Sequence, residues 1–183
     1  MEKQRRSIIL AKQSDNQNHV DEINAYYAAV NQQLLAFVEH IKSLSDANIA
    51  SKLNCRLQAV TDKEALAIKS LIGIDVSGYT HSINGSSVTH IEKRHGVNGA
   101  HDNSMAFAED VARVEFILKN YDSVNALLTE DFRRFPRVWK NSDGTPSQMI
   151  KYEKQLNGTY YVVEAIPDTK RKALQIVSVY IKQ

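Results

Sequence analysis

The chain has 183 residues, 43% of them apolar and 24% charged, with a net charge of +2 and a pI near 8.6. That length supports one core of ordinary size, or one domain with a helical extension, and the mildly basic balance permits a polyanionic partner without requiring one. A single cysteine, Cys55, excludes an internal disulfide framework, no Cys/His pattern has zinc-site spacing, and no stretch approaches the ~20 apolar residues of a membrane-spanning helix.

The start, Met1 to Leu10, sets basic residues before an apolar run that ends at Lys12, too short for a secretory signal. A soluble protein without an export signal is expected. From Val20 to Leu44 the apolar residues Val20, Ile23, Tyr27, Val30, Leu34, Phe37, Val38 and Ile41 recur at three- and four-residue spacing. This predicts a long amphipathic helix, capped by Asp15 or Asn16, packing on the core or on a partner protein. His19 and His40 on it are assigned no chemistry. Leu53 to Val60 reads as a strand or a short helix. Thr61 with Glu64 three residues later is a capping box, and the helix it opens stops at Gly73. Val76 to Ile83 reads as extended.

The segment Ser87-Val88-Thr89-His90-Ile91-Glu92-Lys93-Arg94-His95-Gly96 is the most informative. Ser86 or Ser87 serves as N-cap and Gly96 as the stop. At 3.6 residues per turn His90 and Arg94 share a face, with His95 one position round. Neutral imidazole moves protons near pH 7 and guanidinium grips phosphate, which together equip a helix to cleave a phosphodiester without metal. Each residue has a plainer reading beside that one. His95 also complements the negative end of its helix, and Lys93 also serves simply to solvate it. His90, His95 and His101 make a poor metal set, because i,i+5 spacing suits one ion less well than i,i+4. His101, in the polar loop Asn98 to Asn103, reads as exposed.

Ser104 to Lys119 returns to helix, and residues 125 to 147 mix helical and irregular pieces around the turn Asn141 to Pro146. The last third differs in kind. Met149 to Leu156, Thr159 to Ile166 and Lys172 to Lys182 read as three strands, the first two joined by the hairpin signal Asn157-Gly158. Helices first and a meander last define an α+β fold: helices packed on a small antiparallel sheet. A helical region over residues 1–72 and a compact domain over residues 73–183 are expected. Ser178 and Tyr180, two apart on one strand, face the same side. Tyr160 and Tyr161 face opposite sides. Lys151 pairs across strands or serves the site, and Glu153 and Glu164 are ordinary strand carboxylates unless one is a base.

A histidine-bearing helix of the form H-I-x-x-R-H-G, followed by a helix and an antiparallel meander, resembles a known family. It is similar to the phage-associated nuclease domains grouped with barnase, EndoU, colicin E5/D and RelE. The residues that carry the likeness are Val88 to Gly96, Ile150 to Lys154, Gly158 to Glu164 and Leu174 to Tyr180, within roughly Gly73 to Gln183. The resemblance implies metal-independent, cofactor-free cleavage of RNA, tRNA included, by a toxin-like endoribonuclease. It also implies a phage or mobile-element setting, in a bacterial host cytoplasm or a phage particle. The family pattern of a helix histidine, a basic sheet residue and a hydroxyl on the last strand maps to His90, to Lys151 or Lys154, and to Ser178.

In that chemistry a base deprotonates the 2′-OH, which attacks phosphorus, an acid protonates the departing 5′-oxygen, and 2′,3′-cyclic phosphate ends result. His90 takes one proton-transfer role and His95 or His81 the other. Arg94, Lys151 and Ser178 complete the catalytic set, and His81, Lys93, Tyr161 and Tyr180 are expected to bind substrate. The competing reading is a catalytically inactive docking module of a phage-derived protein. In either case the first long helix is the expected face for a protein partner or inhibitor.

Overall fold

The sheet that organises the molecule grows outward from its C-terminal strands. The computed structural model describes residues 2–127, 141–167 and 171–183, with residues 2–14 described by backbone alone. In chain order the elements are α1 (Glu2–Ala28), α2 (Gln32–Ser43), α3 (Ala47–Lys52), β1 (Asn54–Ala59), α4 (Asp62–Ile72), β2 (Thr80–Asn84), α5 (Gly85–His95), α6 (Ala108–Ala112), α7 (Val114–Lys119), β3 (Ser123–Leu127), β4 (Gln148–Gln155), β5 (Thr159–Ile166) and β6 (Ala173–Lys182). The fold is α+β. β4, β5 and β6 form the antiparallel meander, in register from Gln155↔Thr159 to Gln148↔Ile166 on one side and from Thr159↔Lys182 on the other.

The sheet is larger than that meander and is mixed. Its six strands run β1-β2-β6-β5-β4-β3, and β2 lies parallel to β6, from Thr80↔Ala173 to Ile83↔Ile176. The antiparallel meander is thus one part of a larger sheet: β2 and β6 are joined by a long excursion that, among the described residues, passes through three helices and three strands, and this allows the parallel approach. Residues on both sides of position 72 share this sheet and one core, since β1 pairs with β2. A bulge between Val163 and Glu164 shifts the β5–β6 register, so that Val163 faces Ser178 and Glu164 faces Ile176.

One sheet face is covered by helices. Leu34, Val38 and Ile41 of α2, Ala65 and Ile68 of α4, and Val88 and Ile91 of α5 join Ile150, Tyr152, Val162, Leu174 and Ile176 in a single buried cluster. On the other face Met149, Val163, Ala165 and Val177 form a second, smaller cluster against Leu127 and Tyr180.

Several local expectations meet their physical reasons here. The long helix expected over Val20 to Leu44 is broken, because Asn31 leaves the helix to cap α2: its Oδ1 accepts from Leu34 N at 2.9 Å and its Nδ2 donates to Glu115 at 2.7 Å. α1 also begins well before Asp15 and Asn16. The helix expected over Ser104 to Lys119 is two short ones, divided at Arg113, whose φ and ψ are −90° and 0°. The Thr61–Glu64 capping box is present, and Gly73 ends α4 at φ 75°. α5 is capped by Asn84, whose Oδ1 accepts from Ser87 N at 2.8 Å, and not by Ser86 or Ser87. It ends at Gly96, which is extended and not left-handed. Much of the mixed stretch expected over residues 125–147 lies outside the described residues.

Candidate active site

β2 hands the chain directly to α5, and this junction places the histidine helix. Gly85 begins α5 against α3, where a Cβ would stand 2.1 Å from the Ala50 carbonyl oxygen, so only glycine permits that approach. Pairing of β2 with β6 stops at Ile176, and α5 with the loop after it flanks the rest of β6. His90, Arg94 and His95 therefore meet Ser178, Tyr180 and Lys182, which β6 presents on the sheet face away from the helical core. Together with His101 and Asp102 they line one cavity of about 250 Å³.

Aromatic stacking continues the site across the sheet. The His95 ring lies 5.2 Å from that of Tyr180 at 16°, and Tyr180 lies 4.9 Å from Tyr161 at 22°. Lys151 Nζ stands 4.8 Å from the Tyr161 centroid and Lys182 Nζ 5.6 Å from it. Lys151 also pairs with Glu153 at 2.7 Å. Cations over the ring are attracted by its quadrupole, so Tyr161 holds positive charge beside the cavity.

The loop after α5 supplies a carboxylate. His95 Nδ1 and Asp102 Oδ2 are 2.9 Å apart, and Asp102 Oδ1 accepts from Ser104 N at 2.9 Å and from Ser104 Oγ at 2.7 Å. Burial lowers the pKa of His95; the neighbouring Asp102 opposes that shift without overcoming it, and His101 and Arg94 add to it. The imidazole is thus neutral at physiological pH. Asp102 is held below the ordinary carboxylate range: burial alone would raise it, but the bonds from Ser104 and His95 prevail.

His90, His95, Arg94, Ser178 and Tyr180 therefore share one cavity, with Lys151 and Tyr161 next to it on the same sheet face. His81 does not belong to them. Its side chain is 0% exposed on the helix side of the sheet, with Nδ1 at 2.9 Å from Glu164 and Nε2 at 3.2 Å from Glu64. No substrate reaches it, and both the substrate-binding and the proton-transfer expectations for His81 are corrected. Burial disfavours the imidazolium there, yet Glu164 and Glu64 raise its pKa to about 10. Tyr152 donates to Glu64 in the same cluster, and burial pushes Glu164 up.

Lys93 is corrected too. It lines a different cavity, with Ile41, Lys42, Leu44, Val88, Thr89 and Glu92, because one helical position turns a side chain by about 100°. Lys154, the alternative to Lys151, is buried on the helix side and pairs with Asp122 at 2.8 Å and Glu22 at 2.5 Å. Asp102, His101 and Lys182 were not expected at the site. The Asx turn Asp102-Asn103-Ser104, seven residues beyond His95, is the local signal that marks Asp102.

A sequence model of the phage-Barnase-EndoU-ColicinE5/D-RelE like nuclease3 family matches residues 58–183. The chain belongs to this family of phage-associated, nuclease-like proteins, with its barnase/EndoU/RelE-like fold. No curated protein and no solved structure matches it.

Proposed function

We propose that the protein is an endoribonuclease that cleaves RNA without a metal ion, by attack of the ribose 2′-OH on the adjacent phosphorus. The convergence of three imidazoles, a guanidinium, two hydroxyls and a lysine on one cavity carries this reading. His95, neutral and tied to Asp102 through Nδ1, takes the 2′-OH proton on Nε2. His90 gives a proton to the departing 5′-oxygen. The pair divides the work of base and acid, which contributes ~10²–10⁴-fold to such a step. Arg94 and Lys182 hold the phosphoryl oxygens as charge builds on them, Ser178 donates a hydrogen bond to the same group, and Lys151 adds positive charge from beside Tyr161. The row Tyr180–Tyr161 offers aromatic surface against which an unpaired base can lie, which favours single-stranded RNA and tRNA loops over duplex.

The test is cleavage of end-labelled single-stranded RNA and bulk tRNA in EDTA by the wild type and by His90→Ala. Cyclic phosphate ends that disappear in the variant are the expected result. Well-folded wild type that leaves every substrate intact in EDTA overturns the reading.

A further inference from the structure

We propose that Asp102 is a positioning residue, which fixes His95 in the Nδ1–H tautomer so that Nε2 offers its lone pair to the cavity. The inference deepens the nuclease reading above and rests on it.

Asp102 is the middle of a relay that joins three elements. On one side Oδ2 accepts from His95 Nδ1 at 2.9 Å. On the other, Oδ1 accepts from both the backbone N and the Oγ of Ser104. Ser104 Oγ in turn accepts from the backbone N of Ile181 in β6 at 3.1 Å, so its one hydrogen is committed to Asp102. The loop is also tied to the end of α5: His101 N and Asp102 N donate to the Arg94 carbonyl at 3.0 and 3.2 Å, and Met105 N to that of His95 at 2.7 Å. Gly99 is what lets the loop lie so close, since a Cβ there would be 2.4 Å from the Asp102 carbonyl oxygen and 2.6 Å from that of Arg94. With the ring stacked on Tyr180, His95 is fixed in plane, and the carboxylate fixes its proton. The other ionisable groups around it are His101, Arg94 and Tyr180, with His90 and Lys182 in the same lining.

This wiring dictates what Asp102→Asn does. The two Ser104 donors keep the amide oxygen of the new side chain, so its NH₂ faces His95 Nδ1. A donor there is satisfied only by the Nδ1 lone pair, which forces the proton to Nε2. The substitution preserves the loop's bonds and inverts the tautomer.

The experiment is two-bond ¹H–¹⁵N correlation NMR of the histidine rings in the full chain, for the wild type and Asp102→Asn, alongside their pH profiles for cleavage of a single-stranded RNA. The wild type is expected to carry its His95 proton on Nδ1 and the variant on Nε2. The variant's kcat is expected to fall by about a hundredfold or more with KM little changed. The acidic limb of its residual activity moves to lower pH, because the charge that favoured imidazolium is gone. A wild-type Nε2–H tautomer overturns the proposal with no variant needed, as does a variant that keeps Nδ1–H or that cleaves within about twofold of wild type with the same pH profile. Wild type that cuts no RNA instead defeats the nuclease reading, and the two tautomers alone then decide the role of Asp102.

Discussion

Two imidazole–carboxylate clusters, one between the sheet and α4 and one beside β6, titrate in opposite directions. His81 lies sealed under α4 with two carboxylates, Glu164 and Glu64, and its pKa rises to about 10. His95 lies at the edge of an open cavity with one half-exposed carboxylate, Asp102, beside His101 and Arg94, and its pKa falls. Burial opposes the imidazolium in both. Two fully buried carboxylates overcome it at His81, whereas one half-exposed carboxylate beside His101 and Arg94 does not at His95. The same pair of groups is thus a structural tie where both partners are dry and, in the proposed reaction, a proton-transfer unit where one is wet. A perturbed titration marks a functional site only when the group is also accessible.

The largest expected effects separate these roles. His95→Ala or His90→Ala is expected to lower RNA cleavage by ~10²–10⁴-fold, and His90→Ala to do so while leaving the unfolding midpoint nearly unchanged. His81→Ala should do the reverse. Removing one partner of a buried ionic cluster costs about 3–5 kcal/mol, so urea unfolding should show the loss while activity per folded molecule persists. A His81→Ala protein as stable as wild type would break the comparison.

A smaller and more diagnostic effect is the pH dependence of stability. His81 binds its proton more tightly folded than unfolded, so its contribution is complete below about pH 6.5 and is lost as pH rises through about 10. Glu164, raised by burial, has the same sign, because the folded state again retains the extra proton. His95 has the opposite sign: its folded form holds the proton less tightly, so its contribution is present above pH 6.5 and lost as pH falls below it. Unfolding free energies measured from pH 5.5 to 10 should therefore decline on the alkaline side in wild type, flatten there in His81→Gln, and flatten on the acidic side in His95→Gln.

How much of this could be read from sequence follows the range of each interaction. The meander, the Thr61–Glu64 box and the shared face of His90 and Arg94 are local, and periodicity or turn chemistry states them directly. His81 and Glu164 are 83 residues apart, so nothing near His81 told it apart from an exposed strand histidine. The convergence of α5 with Ser178 and Tyr180 depends on β2 lying parallel to β6, a pairing no local pattern encodes. The break at Asn31 was masked by apolar residues that keep helical spacing on both sides of it. Asp102 was within reach, since Asp-x-Ser is a turn signal, but its target ring lies back across the helix end and only the folded loop shows it.

The smallest effects concern charge, and they separate neighbours along one helix and one strand. Lys182 lines the cavity and Lys151 stands beside it over Tyr161, whereas Lys93 opens onto the groove toward Lys42 and Glu92. If the cavity binds a phosphate backbone, the slope of log affinity against log salt falls by about 0.7 for each single-stranded phosphate contact removed. Binding of a single-stranded oligonucleotide to a His90→Ala protein, titrated from low to moderate salt, should lose about that much slope in Lys182→Ala and a fraction of it in Lys151→Ala, whose charge is shared with Glu153. Lys93→Ala should leave slope and cleavage within about twofold of the parent protein, because Lys93 lines the other cavity, with Lys42 and Glu92. An equal loss of slope in all three would mean that RNA wraps the whole helix, and that the cavity alone does not define the site.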